Sequence, residues 1–382
     1  MRISIYHNIL WSKYKGVVFS QVHALSRLNE ITTSFIQIAE TEEARVALGG
    51  VDLSYHNYPF RLLFKGAYSD SSRRQRSVAL AQDLLKYPCD LVIIPGYHRL
   101  EHWAMLLTCI LLHRKRAVFC DSTKYDQPKA ILKEFGKRWF FSWCNGFFCY
   151  GMRSKEYLQS YGVDESKINF RCQVAALPHD YDPVAVLRNY ESSPQRDVDA
   201  PRFIYVGRLS PEKGIEDLIR AFRDVLAAHP RAKLDIIGAG PSTPELISLI
   251  SELGISGPVS MLGSKSITEI AAAFQQSTAL VLPSYSEPWG LVVNEALSYG
   301  CPVVVSNRCG CVPDLVVDKV TGFAFEAGNV PALTSAMIAV SSLSRDRPVV
   351  ARNCLEVIAS FNPVRAATQI LDGCRRIVGT SA

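Results

Sequence analysis

The sequence predicts an α/β fold: two doubly wound, Rossmann-like domains with parallel sheets, facing each other across a cleft. Three observations carry this. Short apolar strands alternate with helical patterns along the whole chain. One polar, proline-containing stretch, "RNYESSPQRDVDAPR" (Arg188–Arg202), interrupts the alternation. The 382 residues exceed what one hydrophobic core usually organises.

The first half supplies the strand candidates "RISIYHN", "TTSFIQIA", "DLVIIPG", "AVFCDS" and "NGFFCYG". Helical patterns such as "VVFSQVHALSRL" and the stretch Glu101–His113 separate most of them. Each strand is short, almost continuously apolar and often closed by Gly, Asp or Ser, as strands buried on both faces are. The second half repeats the pattern. "FIYVGR" is a strand, and "GIEDLIRAFRDVLAAHP" is a helix with Ile215, Leu218, Ile219, Phe222, Val225 and Leu226 on one face. The strands "KLDIIGAG", "PVSMLG" and "ALVLPS" follow, with helices between them. The expected boundaries are 1–187, a linker at 188–202, a second domain at 203–360 and a helical tail at 361–382 that crosses back to the first domain. Ligands of such sheets lie beyond the carboxyl ends of the strands, so the cleft is the expected site.

The composition is globular, with 48% hydrophobic and 20% charged residues. Residues 1–185 hold 24 Lys+Arg against 17 Asp+Glu, a balance of +7, and the remainder holds 18 against 19. The basic excess therefore belongs to the first half. It suits contact with an anionic membrane surface, and it equally suits an ordinary solvated face. No nucleic-acid partner is expected. Eleven cysteines without paired spacing read as small hydrophobes of a reducing compartment. Cys309 and Cys311 form C-x-C with no second ligand pair nearby, so no metal is expected. The N-terminus lacks a signal-peptide core, and "WAMLLTCILL" is half the length of a membrane span. A cytoplasmic protein, peripheral at most to the inner membrane surface, is expected.

Chemistry concentrates at predicted strand ends. In "YVGRLSPEKGIEDL", Gly207 ends a strand, Arg208 sits just past it, and Lys213 stands at the mouth of the next helix. Two cations beside a helix N-terminus make a phosphate clamp. In "SYSEPWGLVVNEALSYGCPVVVS", Pro288 and Gly290 mark the turn into a helix starting near Gly290. The backbone from Trp289 to Leu291 can hold an anion there. Glu287 just precedes it, within reach of sugar hydroxyls or a developing cation. Glu295 lies among Val292, Val293, Ala296 and Leu297; a buried carboxylate needs partners, and a ribose diol is a good one. Helix geometry alone favours a plain N-terminal Glu and a solvent-side Glu.

Gly238 and Gly240 in "IIGAGPSTPE" form Gly-x-Gly, but residue 243 is threonine, so a strand-to-helix turn near the ligand explains them better than a dinucleotide fingerprint. In the first half, Gly16 is expected to open the first helix. His98 and the group Asp121, Ser122 and Thr123 follow strand ends, which makes them acceptor-side or catalytic candidates. Lys133–Phe148 interleaves basic and aromatic residues, a pattern of a membrane-surface helix or, more simply, of a core helix running into a strand. "SSRRQR" (Ser71–Arg76) is the better surface patch for anionic headgroups.

Three stretches together resemble the retaining GT-B glycosyltransferases of the family-4 type. They are "VGRLSPEKG", "SEPWGLVVNEALSYGCPVVVS" with Glu287 and Glu295 in the family's E-x7-E pattern, and "RCGCVPDLVVDKVTGF". The resemblance covers about Phe203 to Phe325. It implies a nucleotide-diphosphate sugar bound by the second domain, with Arg208 and Lys213 on the diphosphate and Glu295 on the ribose. Glu287 would meet the donor sugar beside the Trp289–Leu291 backbone, and Gly263 and Lys265 would approach the base. Transfer would retain anomeric configuration, without metal or cofactor, onto a glycan or lipid-linked acceptor. The first half departs from the family: "SKYKGVV" offers one glycine where two are common, and "ALPHDYDP" stands where an Asn-Gly-Val-Asp turn is common. A catalytically silent nucleotide-sugar-binding partner subunit and a sugar-nucleotide epimerase on the same scaffold are the competing readings.

Overall fold

The structure is a computed structural model that describes residues 1–46, 49–125, 131–192 and 199–379. The chain divides into two compact units, one of Met1–Ala176 with Phe361 onward, the other of Leu177–Ser360.

The first unit is built on seven strands: β1 (Arg2–Ile9), β2 (Thr32–Ala39), β3 (Phe60–Leu62), β4 (Leu91–Ile94), β5 (Lys115–Cys120), β6 (Gly146–Cys149) and β7 (Ile168–Asn169). They order as β3-β2-β1-β4-β5-β6-β7, and all pairs are parallel. Both faces are covered. Tyr6, Ile36, Leu80, Met105 and Phe140 fill one side. Ile3, Ile5, Phe19, Phe35 and Leu371 fill the other. Successive strand residues point to opposite faces, so a strand buried on both sides is apolar at every position, as the sequence shows. β3 and β7 have only three and two residues, too short to carry any periodicity.

The helix Pro363–Val378 packs in this first unit, with Ala366, Ala367, Ile370, Leu371 and Cys374 buried. Arg375 Nη2 donates to Asn29 Oδ1 at 2.7 Å, and Arg376 donates to Asn169.

The second unit holds β8 (Arg202–Val206), β9 (Lys233–Ile237), β10 (Val259–Gly263), β11 (Ala279–Leu282), β12 (Val303–Ser306) and β13 (Gly322–Phe325). Their order is β10-β9-β8-β11-β12-β13, again all parallel. The chain reverses its direction of sheet growth between β8 and β11, and the ligand crevice of such a sheet lies at that switch. The helix Ile215–Ala228 buries Ile215, Leu218, Ile219, Phe222 and Val225.

The expected linker is displaced. Pro183–Ser192 is a helix of the second unit, and Leu177 already belongs to that unit. Val186 and Tyr190 are its buried residues, one turn apart. Tyr190 Oη donates to Tyr299 O at 2.9 Å, and Tyr181 Oη to Ser298 O at 2.8 Å. Two buried anchors in a ten-residue helix are too few to show as a pattern. Residues 193–198 of the expected linker lie outside the described residues.

Candidate active site

The chemistry gathers at the carboxyl ends of β8, β9, β10 and β11 in the second unit. Gly207, Gly238 and Gly263 follow or close three adjacent strands. Gly207 N–H donates to Ile237 O, and Gly238 N–H to Gly263 O. A Cβ on Gly238 would come within 1.8 Å of Gly207 O, so the strand ends meet backbone to backbone. After Gly207 the chain makes a short 3-10 turn, Pro211–Lys213, and then Gly214 starts the helix Ile215–Ala228. Gly214 has φ of 64°, and a Cβ there would lie 2.4 Å from Pro283 O. Only glycine satisfies both conditions. The turn is thereby pressed against the end of β11, which brings Lys213 to Glu287.

That contact is the centre of the site. Lys213 Nζ donates to Glu287 Oε2 at 2.5 Å, and both side chains are less than one-fifth exposed. Arg208 is held differently. Its Nη2 donates to Glu212 Oε1 at 2.6 Å, and Ser210 Oγ donates to the same oxygen at 2.7 Å. Burial works to raise the Glu212 carboxyl, but hydrogen bonds from Ser210, its own N–H and Arg208 together hold it below the usual range. Tyr205 Oη donates to Arg208 O at 2.9 Å, and Tyr285 N–H to Glu212 O at 2.9 Å. The second cation is thus positioned by four neighbours while more than half of its side chain stays open to solvent.

Glu287 bridges to Cys309, and Gly310 N–H donates to Glu287 O at 2.9 Å. The Pro288 carbonyl packs against Gly310, where a Cβ would meet it at 1.8 Å. The Trp289 side chain is buried, with Nε1 donating to Asn294 Oδ1 at 2.7 Å. Its indole is therefore part of the core, and its carbonyl accepts from Cys311 N–H at 3.0 Å. Gly290, with φ of 97°, is the N-cap of the helix Leu291–Ser298 and has no capping side chain. The expected helix start near Gly290 and the observed one at Leu291 agree. Glu295 lies in the second turn. Burial alone raises its carboxyl to about 7, and among the described residues it has no hydrogen-bond or ion-pair partner.

Gly263 is exposed at the end of β10. Lys265, also exposed, donates to Glu269 Oε1 at 3.0 Å and lines a groove of about 340 Å³ with Arg202, Asp235 and Ser260. Among the described residues no group of His, Cys, Asp or Glu side chains is placed to hold a metal ion.

In the first unit, Gly16 does not open its helix, which begins at Lys13. A Cβ on Gly16 would lie 2.8 Å from Tyr55 O and 2.9 Å from the His56 ring, so this glycine admits a neighbouring turn. His98 is exposed; the surrounding protein lowers its pKa, Asp121 opposes the shift, and Arg99 and Lys137 add to it. Ser122 Oγ accepts from Tyr97 Oη at 2.8 Å, and Thr123 Oγ1 accepts from Tyr125 N–H at 3.2 Å, so both buried hydroxyls hold the loop. Sequence reasoning missed Lys15. Its ammonium is buried and, among the described residues, has no hydrogen-bond partner; it lies 4.2 Å from the Phe119 ring centroid and 5.0 Å from that of Tyr150. Burial lowers its pKa to about 8, against the pull of Asp121. A lysine in the first turn of a helix reads as a surface residue; the signal was its place beside Gly16.

Residues 188–353 match the family model described as glycosyl transferases group 1. Glycogen synthase of Mycobacterium tuberculosis (strain CDC 1551 / Oshkosh) is 35% identical over 137 residues, which are 36% of this chain and 33% of that protein. The match thus spans about a third of the length of this curated relative. The lipopolysaccharide outer core galactosyltransferase WaaB, in its apo form, matches at TM-score 0.72 and 18% identity over 98% of this chain and 99% of that one. Anabaena Alr3699/HepE, in complex with UDP and glucose, matches at TM-score 0.71 and 17% identity over 98% and 100%. At such identity these structures speak to the fold alone. The family match covers less than half of the chain and falls on the unit that carries the two cations and the two glutamates, while the likeness of fold, of the GT-B kind, extends over nearly the whole chain.

Proposed function

We propose that this chain is a retaining, metal-independent glycosyltransferase that moves a sugar from a nucleotide-diphosphate donor to a glycan or lipid-linked acceptor, in polysaccharide or glycoconjugate synthesis. The observation that carries the reading is the Lys213–Glu287 ion pair beside the Gly290 helix start, inside the segment matched by the family model. Lys213 and Arg208 neutralise the departing diphosphate, and the helix start adds its dipole and free N–H groups. The bond from the anomeric carbon to the diphosphate oxygen breaks. An acceptor hydroxyl oxygen bonds to that carbon on the same face, and its proton passes to the departing diphosphate. Glu287 then stands beside the donor sugar, and Glu295 receives the ribose hydroxyls. Gly207 and Gly238 let the strand ends approach the nucleotide, and Gly263 and Lys265 border its base. The first unit supplies the acceptor side, with His98 and Asp121 as its polar groups.

A thermal-shift titration with UDP, GDP, ADP and CMP, alongside Arg208→Ala, tests the donor site. Ligand binding raises stability by RT ln(1 + [L]/Kd). A shift with one nucleoside diphosphate, lost in the variant, is expected. No shift with any nucleotide would remove the donor-site reading. Donor hydrolysis without acceptor separates an enzyme from a silent binder, and product analysis separates transfer from epimerisation.

A further inference from the structure

We propose that the outer face of the helices Leu100–Leu111 and Ile131–Ser142 in the first unit is a docking surface for an anionic lipid bilayer. The inference is independent of the transfer reaction. Along the first helix, Leu100, Trp103, Leu107 and Leu111 recur at spacings of three and four, which places them on one face. Along the second, Phe135, Trp139 and, just past its end, Trp143 recur at four. The two stripes join where the Trp103 and Trp139 rings stack, with centroids 5.6 Å apart and planes within 1°. Around that stack lies an apolar groove of about 580 Å³ lined by Trp103, Phe135, Gly136, Arg138, Trp139 and Ser142. Leu111 is 79% exposed, Phe135 69%, and Trp139 and Trp143 just over 40%. Single exposed apolar side chains need no explanation, but a joined row of them does.

The charges around the row select the occupant. Lys115 and Arg138 are exposed beside it. Arg116 donates to Trp143 O at 2.6 Å and so sits at the row's end. The two carboxylates on these helices are engaged: Glu101 is buried against Arg76 at 2.8 Å, and Glu134 accepts from Lys137 at 3.0 Å. Exposed tryptophans and leucines ringed by cations match the chemistry of a bilayer interface, where indoles sit at headgroup level and cations meet lipid phosphates. Among the described residues no helix is long and apolar enough to cross a membrane, so the face would lie on the surface rather than span it. "SSRRQR" is the weaker patch, because Arg76 is buried in its pair with Glu101. Of Lys133–Phe148, the core residues are Phe140, Phe141, Phe147 and Phe148, while Phe135, Trp139 and Trp143 point outward.

The test is flotation of the full chain with vesicles of phosphatidylcholine alone and of phosphatidylcholine with phosphatidylglycerol, with tryptophan emission read in parallel. The wild-type chain is expected to float with the anionic vesicles, to shift its emission to the blue and to release as salt rises. Phe135→Ser/Leu111→Ser, both far exposed and outside the donor site, is expected to keep its melting temperature and lose at least about tenfold in partitioning. Failure of the wild-type chain to float with either vesicle would overturn the proposal, as would equal partitioning of the double variant. Self-association of the wild-type chain in sedimentation, lost in the variant and without vesicle binding, would assign the face to a second copy instead.

Discussion

Lys213 Nζ lies 2.5 Å from Glu287 Oε2, although 74 residues separate the two in the chain. The pair ties the turn after β8 to the turn after β11 and leaves a cation and a carboxylate side by side where a donor's diphosphate and sugar would lie. Replacing either by Ala leaves the other half-buried and unpaired. Lys213→Ala and Glu287→Ala are each expected to lower turnover roughly 100-fold or more. The double variant should cost less than the product of the two, because the residues share one interaction. Steady-state rates with the matched donor and acceptor check this, and near-normal turnover in both single variants would defeat the assignment.

If Glu295 receives the ribose, as proposed above, nucleotide binding is expected to depend on pH. Its carboxyl ordinarily titrates near 4.5 and is raised to about 7 in the folded chain. Between those values the folded chain holds more protons than the unfolded one, so this residue's contribution to the free protein's stability falls as pH rises through that window. Ribose hydroxyls donate to the ionised form, so nucleotide affinity should rise with pH through about 7 and binding should release a proton. Calorimetry in buffers of different ionisation enthalpy reads that proton. Glu295→Gln is expected to flatten the profile, and an unchanged profile would remove Glu295 from the ribose.

Lys15 is expected to cost stability at neutral pH. Its ammonium ordinarily titrates near 10.5 and is lowered to about 8 by burial. Between those values the unfolded chain binds more protons, so stability rises with pH across the window, and the full cost is present below it. The whole shift corresponds to roughly 3 kcal/mol, of which contacts with Phe119 and Tyr150 return a part. Lys15→Met should therefore melt higher than the wild-type chain at pH 7, with the difference shrinking towards pH 10.5. A difference that does not vary with pH would mean that the ammonium is not the cause.

Gly214→Ala combines a left-handed backbone with a Cβ 2.4 Å from Pro283 O. A carbonyl at a strand end cannot retreat without moving the strand. A loss of about 2 kcal/mol or more is expected, together with a weaker thermal response to nucleotide, since the turn also places Lys213. Denaturant unfolding measures the first effect and the nucleotide titration the second.

Much of the second unit was legible because its signals are local. The apolar face of Ile215–Ala228, the five-residue strand β8 and the Gly290 helix start each lie within one short window of sequence. Glu287 and Glu295 were marked by the resemblance to the family's E-x7-E pattern, since helix geometry alone favoured plain surface glutamates. The short strands β3, β7 and β13 were not legible: β3 and β7 are too short for a period, and the four-residue β13 is an edge strand held by pairing with β12. The helix Pro183–Ser192 was hidden for a related reason, since two buried residues suffice once Tyr299 and Arg347 lie against Tyr190.

The sequence by itself determined two parallel α/β sheets, the chemical types at their strand ends and the family resemblance, because periodicity and turn residues act over a few positions. Only the tertiary structure decided which charges meet. It joined Lys213 to Glu287, gave Arg208 to Glu212 and, among the described residues, left Glu295 without a partner. It also buried Lys15 among aromatic rings and turned Trp289 inward while leaving Trp139 outside. Those outcomes depend on burial and on distances between segments far apart in the chain, and a charge or a ring carries neither until its neighbours are in place.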